Sequence, residues 1–444
     1  MQEKHYSGTE KMKRLLITLR VVLVLCVLFP FVVFAEEKQE KILTGSITLI
    51  QVLQAALLQN PDLQAYSYEV RAREAETLQA GLVSNPKLLV QVENAMGSGN
   101  FKAFDQSETT IQLSQRMELG DKRALRKSSA NLSKEIAGWD YEIQRLEVLT
   151  RVSQSFVHLL KSQQKVILTV EGVQLARNFL KAVSERVKAG KVAAIEKIKA
   201  QVALANMRIE EERARQELEN ARRKLSTLWG EAEPRFDSAQ GDLFSVPDRI
   251  FPEPTPLPSN PRLSKWSAAL AHRQAELEVE NSKAIPDLTF SGGYRRLEET
   301  SDNALIFGVT VPLNWFNRNQ GGIAKARHRL SKAQEEKRAQ VLGMQEALLK
   351  AHSELSFSHA KVISIKTEVL PGAEKALSAI SEGYRFGKFG LLDVLDSQKT
   401  FYQVQNQYLD ALAEYHSAVA DVKRLTGVDP FIQDNSIDRG KGEP

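Results

Sequence analysis

The sequence has little cysteine, few tryptophans and no series of long hydrophobic runs. One cysteine among 444 residues cannot build a disulfide framework or a zinc–thiolate site. The lack of several apolar runs of about 20 residues excludes a polytopic helical membrane protein. Apolar residues still make up 42% of the chain and charged residues 26%, which is enough for a folded core and excludes bulk disorder.

Motifs that carry enzyme chemistry are also absent. The sequence contains no glycine-rich phosphate loop, no His-Glu-x-x-His, no Gly-x-Ser-x-Gly and no paired cysteine motif. His352 and His359 lie seven residues apart and could share a helix face, but two histidines without a third ligand are typical of surface or packing residues. We therefore predict a protein that is not an enzyme and that binds neither a cofactor nor a metal.

The first 35 residues have the pattern of a secretory signal peptide. Lys13 and Arg14 precede an apolar block of 14 residues from Val21 to Phe34, and Ala35 is followed by charged residues. A membrane anchor needs about 20 apolar residues, so we expect cleavage. Removing residues 1–35 takes away five basic and two acidic residues and lowers the formal charge from +5 to +2, which predicts no nucleic-acid partner.

The rest of the chain is a duplication. Asn60-Pro61 recurs as Asn260-Pro261 at a spacing of 200 residues, and later matches follow at spacings of 198 or 197. We predict five parts: a signal peptide, a first repeat, a proline-rich linker, a second repeat and a polar tail, at residues 1–35, 36–230, 231–260, 261–430 and 431–444.

Each repeat has the pattern of a helix, two strands, a very long helix, a tight turn and a second long helix. Lys122 to Lys188 contains no proline, and its 67 residues would form a helix of roughly 100 Å. The corresponding stretch from Gly322 to Glu382 contains Pro371, which we expect to bend or locally open the helix. Return helices are predicted from Ile195 to Trp229 and from Leu391 to Thr426.

The last predicted helix has a heptad pattern. Its apolar and amide positions alternate in steps of four and three residues: Val394, Gln398, Phe401, Gln405, Tyr408, Leu412, Tyr415, Val419 and Val422. On its own, this pattern favours an ordinary coiled-coil pair. The neighbouring row of Leu395, Tyr402, Leu409 and His416 indicates a broader face, which a helix flanked on two sides needs.

Four segments alternate apolar and polar residues and are predicted strands: Leu89–Asn94, Thr109–Met117, Leu288–Arg295 and Leu305–Val311. Their length and period are typical of outer-membrane strands, and the alternative is a water-facing sheet packed on helices. The polar connections Ala95–Ser107 and Arg296–Asn303 favour the membrane.

Four strands cannot close a membrane barrel, which needs at least about eight. A homotrimer would supply twelve strands and a matching cylinder of helices. We therefore predict an α+β membrane protein, in which a trimeric 12-stranded β-barrel is continued by a periplasmic α-helical barrel.

The duplicated strand and helix plan, together with the block Glu382–Gln398 and the preceding Val369-Leu370-Pro371, resembles the TolC-like outer membrane factors. Within them it is similar to the heavy-metal efflux channels of the CzcC type. The resemblance covers nearly all of Thr48 to Gly427. It implies a trimeric conduit in outer-membrane lipid that extends into the periplasm and docks onto a periplasmic adaptor, or membrane fusion protein, and through it an inner-membrane pump of the RND type.

In that family such a block turns between the two longest helices at the periplasmic tip. The resemblance assigns tip, gate and adaptor-docking positions to Gly190, Lys191, Tyr384, Gly387, Lys388, Phe389, Gly390, Asp393 and Asp396. In gated members a tyrosine and an aspartate of this block help tie the helices in the closed state, and the matching positions are Tyr384 and Asp396. Phe389 stands where some members have an arginine, so the same polar latch does not follow.

Elementary physical chemistry gives a second interpretation of these residues. Glycines 190, 387 and 390 allow a tight reversal between antiparallel helices, and the helix dipole favours Asp393 in the first turn of a helix. This accounts for Asp393 as well as gating does. If Asp396 faces the axis of a trimer, three carboxylates form a ring that favours cations.

Three functions remain open at this point. They are a passive efflux channel for small solutes, including heavy-metal cations, an outer-membrane conduit for type I protein secretion, and a periplasmic coiled-coil scaffold without a pore. The alternating strands and the need to close a barrel favour the first function.

Overall fold

The structure is a computed structural model that describes residues 43–248 and 260–426. The predicted signal peptide, residues 249–259 of the predicted linker and the predicted polar tail lie outside these ranges. Within them, no helix combines the length and the apolar character that crossing a membrane would require.

The first repeat begins with a short strand and two helices and ends with two long helices. Its elements are, in order, strand β1 (Gly45–Thr48), helices Leu49–Gln59 and Pro61–Ala80, strands β2 (Lys87–Glu93) and β3 (Glu108–Met117), and helices Lys122–Lys188 and Ala194–Ser226. We call the helix Pro61–Ala80 the first leading helix, and the last two the first long helix and the first return helix. The first long helix has the predicted bounds.

The second repeat follows the same plan after an additional strand. The elements are strand β4 (Phe236–Gln240), helix Pro261–Ser282, strands β5 (Leu288–Leu297) and β6 (Asp302–Thr310), helix Gln320–Ser364, a π-helical segment Ile365–Val369, and helices Leu370–Arg385 and Leu391–Thr426. We call Pro261–Ser282 the second leading helix, the stretch from Gln320 to Arg385 the second long helix, and Leu391–Thr426 the second return helix. In each repeat, the long helix, its turn and the return helix form a hairpin.

Pro371 opens the second long helix, as predicted. The backbone N–H of Leu370 donates to the carbonyl of Ile365, five residues earlier, within a π-helical turn. Proline has no N–H for the carbonyl four residues before it, so a wider turn accommodates the missing bond. The first long helix has no proline and no such interruption.

The repeated Asn-Pro pairs begin the two leading helices. The side-chain oxygen of Asn60 accepts a bond from the N–H of Leu63 at 3.0 Å, and its amide donates to the carbonyl of Leu228 at 2.7 Å. Asn260 caps its own helix and donates to the carbonyl of Leu425 at 2.8 Å. Each asparagine therefore starts one helix and ties it to the end of the same repeat's return helix.

The four predicted strands form one antiparallel sheet in the order β2-β3-β5-β6. The central pair β3–β5 joins the two repeats, with Ile111 opposite Tyr294. Strands β2 and β6 lie at the two edges. Strands β5 and β6 run further than predicted, so their connection is four residues, 298–301, rather than Arg296–Asn303.

One face of this sheet is apolar and exposed. Leu305 and Phe307 are 72% and 81% exposed. The same face carries other exposed apolar side chains, namely Leu88, Val90, Val92, Ile111, Leu113, Met117, Phe290, Tyr294 and Val309. On the opposite face Arg295 pairs with Glu108 at 2.9 Å and donates to the hydroxyl of Thr110. A water-facing sheet would bury its apolar face on helices, so the arrangement favours the lipid-facing alternative.

A small parallel sheet was not predicted. Strand β1 pairs with β4, which lies in the linker region, and Ile47 aligns with Ala239. Phe236 of β4 is buried beside Trp229 in the largest hydrophobic cluster of the described chain. Five residues are too few to show a clear period, so the pairing depends on tertiary contacts.

The second return helix is flanked on two sides. It packs against both the second long helix and the first long helix. Its buried residues include Tyr408 and Leu412 of the heptad row, and also Val404 and Leu409 outside it. The broader-face interpretation is therefore confirmed, and the helix is more than one half of a coiled-coil pair.

Candidate functional site

The first hairpin reverses through a glycine turn. Gly190 has a φ of 72°, in the left-handed region that glycine adopts without strain. Its N–H donates to the carbonyl of Val187 and the N–H of Lys191 donates to the carbonyl of Arg186, both at 3.0 Å. This Schellman arrangement satisfies the last carbonyls of the first long helix.

The second hairpin repeats this turn and adds an aromatic contact. Gly387 has a φ of 76°, and the N–H of Lys388 donates to the carbonyl of Gly383 at 2.8 Å. The Phe389 ring packs on Gly383, where an added Cβ would lie 2.4 Å from the ring. Phe389 therefore acts as a packing residue in this turn.

Gly390 plays a different role from Gly190 and Gly387. It precedes the second return helix, and its N–H donates to Oδ2 of Asp393 at 2.8 Å. This bond satisfies a free N–H at the helix start, and a carboxylate there is also favoured by the helix dipole. The capping interpretation of Asp393 thus has a direct contact in the structure.

Tyr384 joins the two hairpins. Its side chain is buried, and its hydroxyl donates to Oε2 of Glu196 at 2.9 Å. Arg186 donates to the backbone carbonyl of Tyr384, and its guanidinium lies 4.3 Å from the centroid of the tyrosine ring. The ring centroid of Phe179, which is also on the first long helix, lies 5.7 Å from that of Tyr384. One tyrosine of the second hairpin therefore contacts both helices of the first hairpin.

A small apolar cluster surrounds this contact. Val183, Ala200, Leu391 and Val394 are buried together with Tyr384. They come from the first long helix, the first return helix and the second return helix, so all four helices of the two hairpins meet here. Apolar packing and the polar contacts of Tyr384 therefore hold the hairpins together at this end, and further apolar side chains pack against the cluster, namely Phe179, Leu180, Val187, Ile380 and Leu395.

Burial raises the pKa of Tyr384 to about 12, and the hydrogen bond to Glu196 and its negative charge act in the same direction. The nearby Arg186 lowers the pKa and offsets part of this effect. The hydroxyl is consequently protonated and able to donate throughout the neutral range. Because its acceptor is a carboxylate, the bond belongs to the stronger, charge-assisted class.

The remaining predicted site residues are exposed. Lys191, Lys388 and Asp396 form no ion pair within residues 43–248 and 260–426. Asp396 lies one turn beyond Asp393 on the second return helix. Within this chain the acidic partner of Tyr384 is Glu196, so the structure does not bring Tyr384 and Asp396 together.

Glu196 and Arg186 belong to this contact and were not among the predicted site residues. Glu196 and Asp393 are 197 residues apart and are each the third residue of a return helix. Aligning the repeats shows this equivalence but cannot show that one acid caps its own helix while the other reaches Tyr384. Arg186 left no signal, because its partners are a backbone carbonyl and a ring on another helix.

Comparison with known proteins finds one matching protein family and several related proteins. The outer membrane efflux protein family matches residues 52–231 and 256–428. The cobalt-zinc-cadmium resistance protein CzcC of Cupriavidus metallidurans is 36% identical over 385 residues, which is 86% of this chain and 90% of that protein. The nickel-cobalt-cadmium resistance protein NccC of Alcaligenes xylosoxydans xylosoxydans is 25% identical over 66% of this chain and 68% of that protein.

Solved structures share the fold at low sequence identity. A structure of the channel protein CusC has a TM-score of 0.72 at 15% identity and covers 86% of this chain and 93% of that chain. The outer membrane protein VceC of Vibrio cholerae has a TM-score of 0.70 at 15% identity, with 85% of this chain and 96% of that chain covered. The likeness therefore extends over both repeats.

Proposed function

Because this chain belongs to the outer membrane efflux protein family, we propose that it is the channel of a tripartite efflux system and passively exports small solutes. A periplasmic adaptor and an inner-membrane pump of the RND type deliver those solutes. The chain is an outer-membrane protein that extends into the periplasm, is close in sequence to metal-resistance proteins, and is not an enzyme. We propose heavy-metal cations as cargo, since CzcC, NccC and CnrC are named for resistance to such metals.

The four-stranded sheet, with one apolar face and one polar face, is the observation that supports a channel most directly. Its exposed apolar face gains stability when lipid covers it, but β2 and β6 each have an edge that is open within one chain. Open strand edges are not tolerated in hydrocarbon. In a homotrimer, β6 of one copy pairs with β2 of the next and closes twelve strands, with the polar face around Arg295 lining the lumen. The six hairpins then continue the lumen into the periplasm.

The Tyr384 contact acts as a latch at the periplasmic tip. The tip widens when the two hairpins of a chain separate, and separation breaks the bond between Tyr384 and Glu196. A hydrogen bond to a charged group contributes about 1.5–3 kcal/mol, and a trimer contains three such latches. The latches therefore lower the fraction of channels whose tip is open, and a docked partner supplies energy that raises it.

Asp396 gives the tip its preference for cations in this proposal. It is an exposed carboxylate near the end of each second hairpin, and three copies would form an acidic ring. Asp396→Ala should lower the cation preference of single-channel conductance. The matched control is Asp105→Ala, which removes an exposed acid between β2 and β3. Unchanged selectivity in Asp396→Ala would remove this role.

The proposed function is tested with the purified full-length chain in detergent. We expect light scattering to show a trimer and planar bilayers to show steady conductance. A monomer without conductance contradicts the channel and favours a scaffold without a pore. Export of metals is tested separately by deleting the gene, which should sensitise the cells to cobalt, zinc or cadmium salts. Loss of a secreted protein without any change in metal tolerance would instead favour a secretion conduit.

A further inference from the structure

A cleft of about 710 Å³ lies between the first long helix, the end of the first return helix and the second return helix. An adjoining groove shares His158, Lys161 and Lys224 with it and adds Lys165 and Glu217. We call the first of these the basic cleft. The titratable and charged side chains that line it are Arg151, His158, Lys161, Lys224, Asp410 and Glu414.

The basic cleft lies on the side of the first long helix that faces away from the linker. Gly241 of the linker packs on Phe156 and Leu160, and an added Cβ would lie 2.9 Å from the Leu160 side chain. His158 is two residues from each of these, which is about 200° around a helix, so its side chain leaves the opposite side. With the linker on the outside of a helical cylinder, the cleft faces the lumen.

The walls of the cleft all come from one chain. The first long helix packs between the first return helix and the second return helix, and the second long helix lies beyond the latter. In the proposed trimer, a neighbouring copy therefore reaches the outer sides of the first return helix and the second long helix. The cleft, at the first long helix between them, stays open to the lumen.

One ammonium group beside the cleft has no acidic partner. Lys161 pairs with Asp410 at 2.6 Å, and Lys165 pairs with Glu217 at 2.7 Å. The side chain of Lys224 forms no ion pair or hydrogen bond within residues 43–248 and 260–426. It therefore adds a positive charge that the acids around it do not balance.

The remaining charged groups of the lining are paired with residues outside it. Arg151 pairs with Asp62 at 3.1 Å, and Glu414 pairs with Lys361 at 2.7 Å. Glu414 is therefore directed away from Lys224, and the surplus charge of the cleft remains.

His158 lies among the lysines. Burial lowers its pKa most, the charges of Lys161, Lys224 and Lys165 lower it further, and the charge of Glu217 acts in the opposite direction. The ring nitrogens have no hydrogen-bond partner in the described part of the chain. The imidazole is consequently neutral at neutral pH, and an anion placed beside it would favour its protonation.

We propose that the basic cleft binds a small polyvalent oxyanion, with phosphate or carboxylate oxygens, on the inner wall of the channel. The inference rests on the proposed function for the position of the cleft in the lumen. Lys224 and Lys161 donate to the anion, and His158 donates once it has gained a proton. A cleft of this size accommodates such an anion together with part of its hydration shell. The site lets an anion accompany the proposed cations through the lumen.

Calorimetric titration of the purified full-length chain in detergent tests the site. Citrate and inorganic phosphate are titrated separately at low salt, and the probe that binds more tightly identifies which oxygen chemistry fits. Lys224→Gln should weaken the binding of that probe by about tenfold. The matched control is Arg223→Gln, which removes an exposed positive charge from the adjacent position of the same helix. It should bind within about twofold of the wild-type chain, because its side chain leaves the helix about 100° away from that of Lys224.

The dependence on pH tests the part of His158. Sulfate is the probe, since it keeps its charge over the range of about pH 5 to 8 in which histidine titrates. We expect its affinity to rise several-fold as the pH falls through this range, because a bound anion favours the charged imidazole. His158→Gln should remove this response. Carboxylates and amines ordinarily titrate outside the range, and the charged groups around the ring are Arg151, Lys161, Lys165, Glu217, Lys224, Asp410 and Glu414.

Wild-type affinity in Lys224→Gln, or a pH response that survives in His158→Gln, overturns the proposal. Equal weakening by Arg223→Gln also overturns it, since the anion would then respond to net charge rather than to the cleft. Bilayer conductance of the same preparation separates the two levels of inference. Normal conductance without anion binding rejects the cleft alone. Anion binding without conductance rejects the channel and keeps the cleft, because its walls come from one chain.

Discussion

The two helical hairpins come from one duplicated pattern but differ in continuity and charge. The first long helix is unbroken over 67 residues, whereas the second contains a π-helical segment before Pro371. Near the first turn Lys191, Lys197 and Lys199 form no ion pair within the described chain, whereas basic and acidic residues are mixed near the second turn. Both turns nevertheless share the same hydrogen bonds around Gly190 and Gly387. Duplication thus preserves the backbone turn, while changes in individual side chains give each hairpin its own contacts.

The pair Glu196 and Asp393 shows this divergence at one position. Both are acidic, and each is the third residue of a return helix, so the two positions align when the repeats are superimposed in sequence. Asp393 has the shorter side chain and accepts a bond from the N–H of Gly390, the residue just before its own helix. Glu196 reaches across to Tyr384. An equivalent position therefore predicts the type of residue but not its partner.

The largest effect is expected where the repeats are most alike. Asn60→Ala and Asn260→Ala each remove a buried side chain that caps a leading helix and bonds the end of a return helix. We expect each change to cost about 2 kcal/mol, because a capping bond is lost and backbone carbonyls are left unpaired. Thermal unfolding followed by circular dichroism measures both variants, with the exposed Asn100→Ala as the control. A large loss of stability in only one of the two variants would show that Asn60 and Asn260 are not equivalent.

The next largest effect should distinguish the two equivalent acids, Glu196 and Asp393. Glu196→Gln removes the charged acceptor of the Tyr384 hydroxyl, so the open fraction of the channel should rise by about tenfold. Asp393→Asn changes only a helix cap and should leave conductance unchanged, at a stability cost of about 1 kcal/mol or less. Planar-bilayer recordings compare the two variants. If Asp393→Asn opens the channel as much as Glu196→Gln does, Asp393 has a gating role.

A third test uses pH. Because the pKa of Tyr384 is raised to about 12 from its ordinary value of 10.0, the stabilising contact is fully present below pH 10 and is lost as pH rises towards 12. Deprotonation removes the donor and places two negative charges together. The open fraction should therefore stay constant across neutral pH and rise between about pH 10 and 12. Tyr384→Phe is the control, and a pH response that survives in this variant would assign the effect to other groups.

The smallest effect is expected from a substitution that makes the second hairpin resemble the first. Pro371→Ala restores the missing N–H, so the π-helical segment should revert to a regular helix. Amide hydrogen exchange near Ile365–Val369 should slow, and the free energy of unfolding should change by about 1 kcal/mol or less. Amides of the first long helix provide the internal control. Unchanged exchange near Pro371 would show that packing rather than proline maintains the wider turn.

Much of the fold could be predicted from local pattern. The bounds of the first long helix, the opening near Pro371 and the four alternating strands all depend on periodicity and on single residues with fixed backbone preferences. The glycine turns were identified because a left-handed position strongly favours glycine. The pairing of β1 with β4 was missed, since it joins residues 45–48 to residues 236–240 and neither segment is long enough to show a period.

The sequence by itself determined where the helices run, where the chain reverses and which face of each strand is apolar, because these properties depend on residues a few positions apart. The tertiary structure alone decided that Tyr384 meets Glu196 and Arg186 and that β3 joins β5 across the repeats. These contacts form between residues distant in sequence, and their geometry depends on how the two hairpins and the sheet pack together.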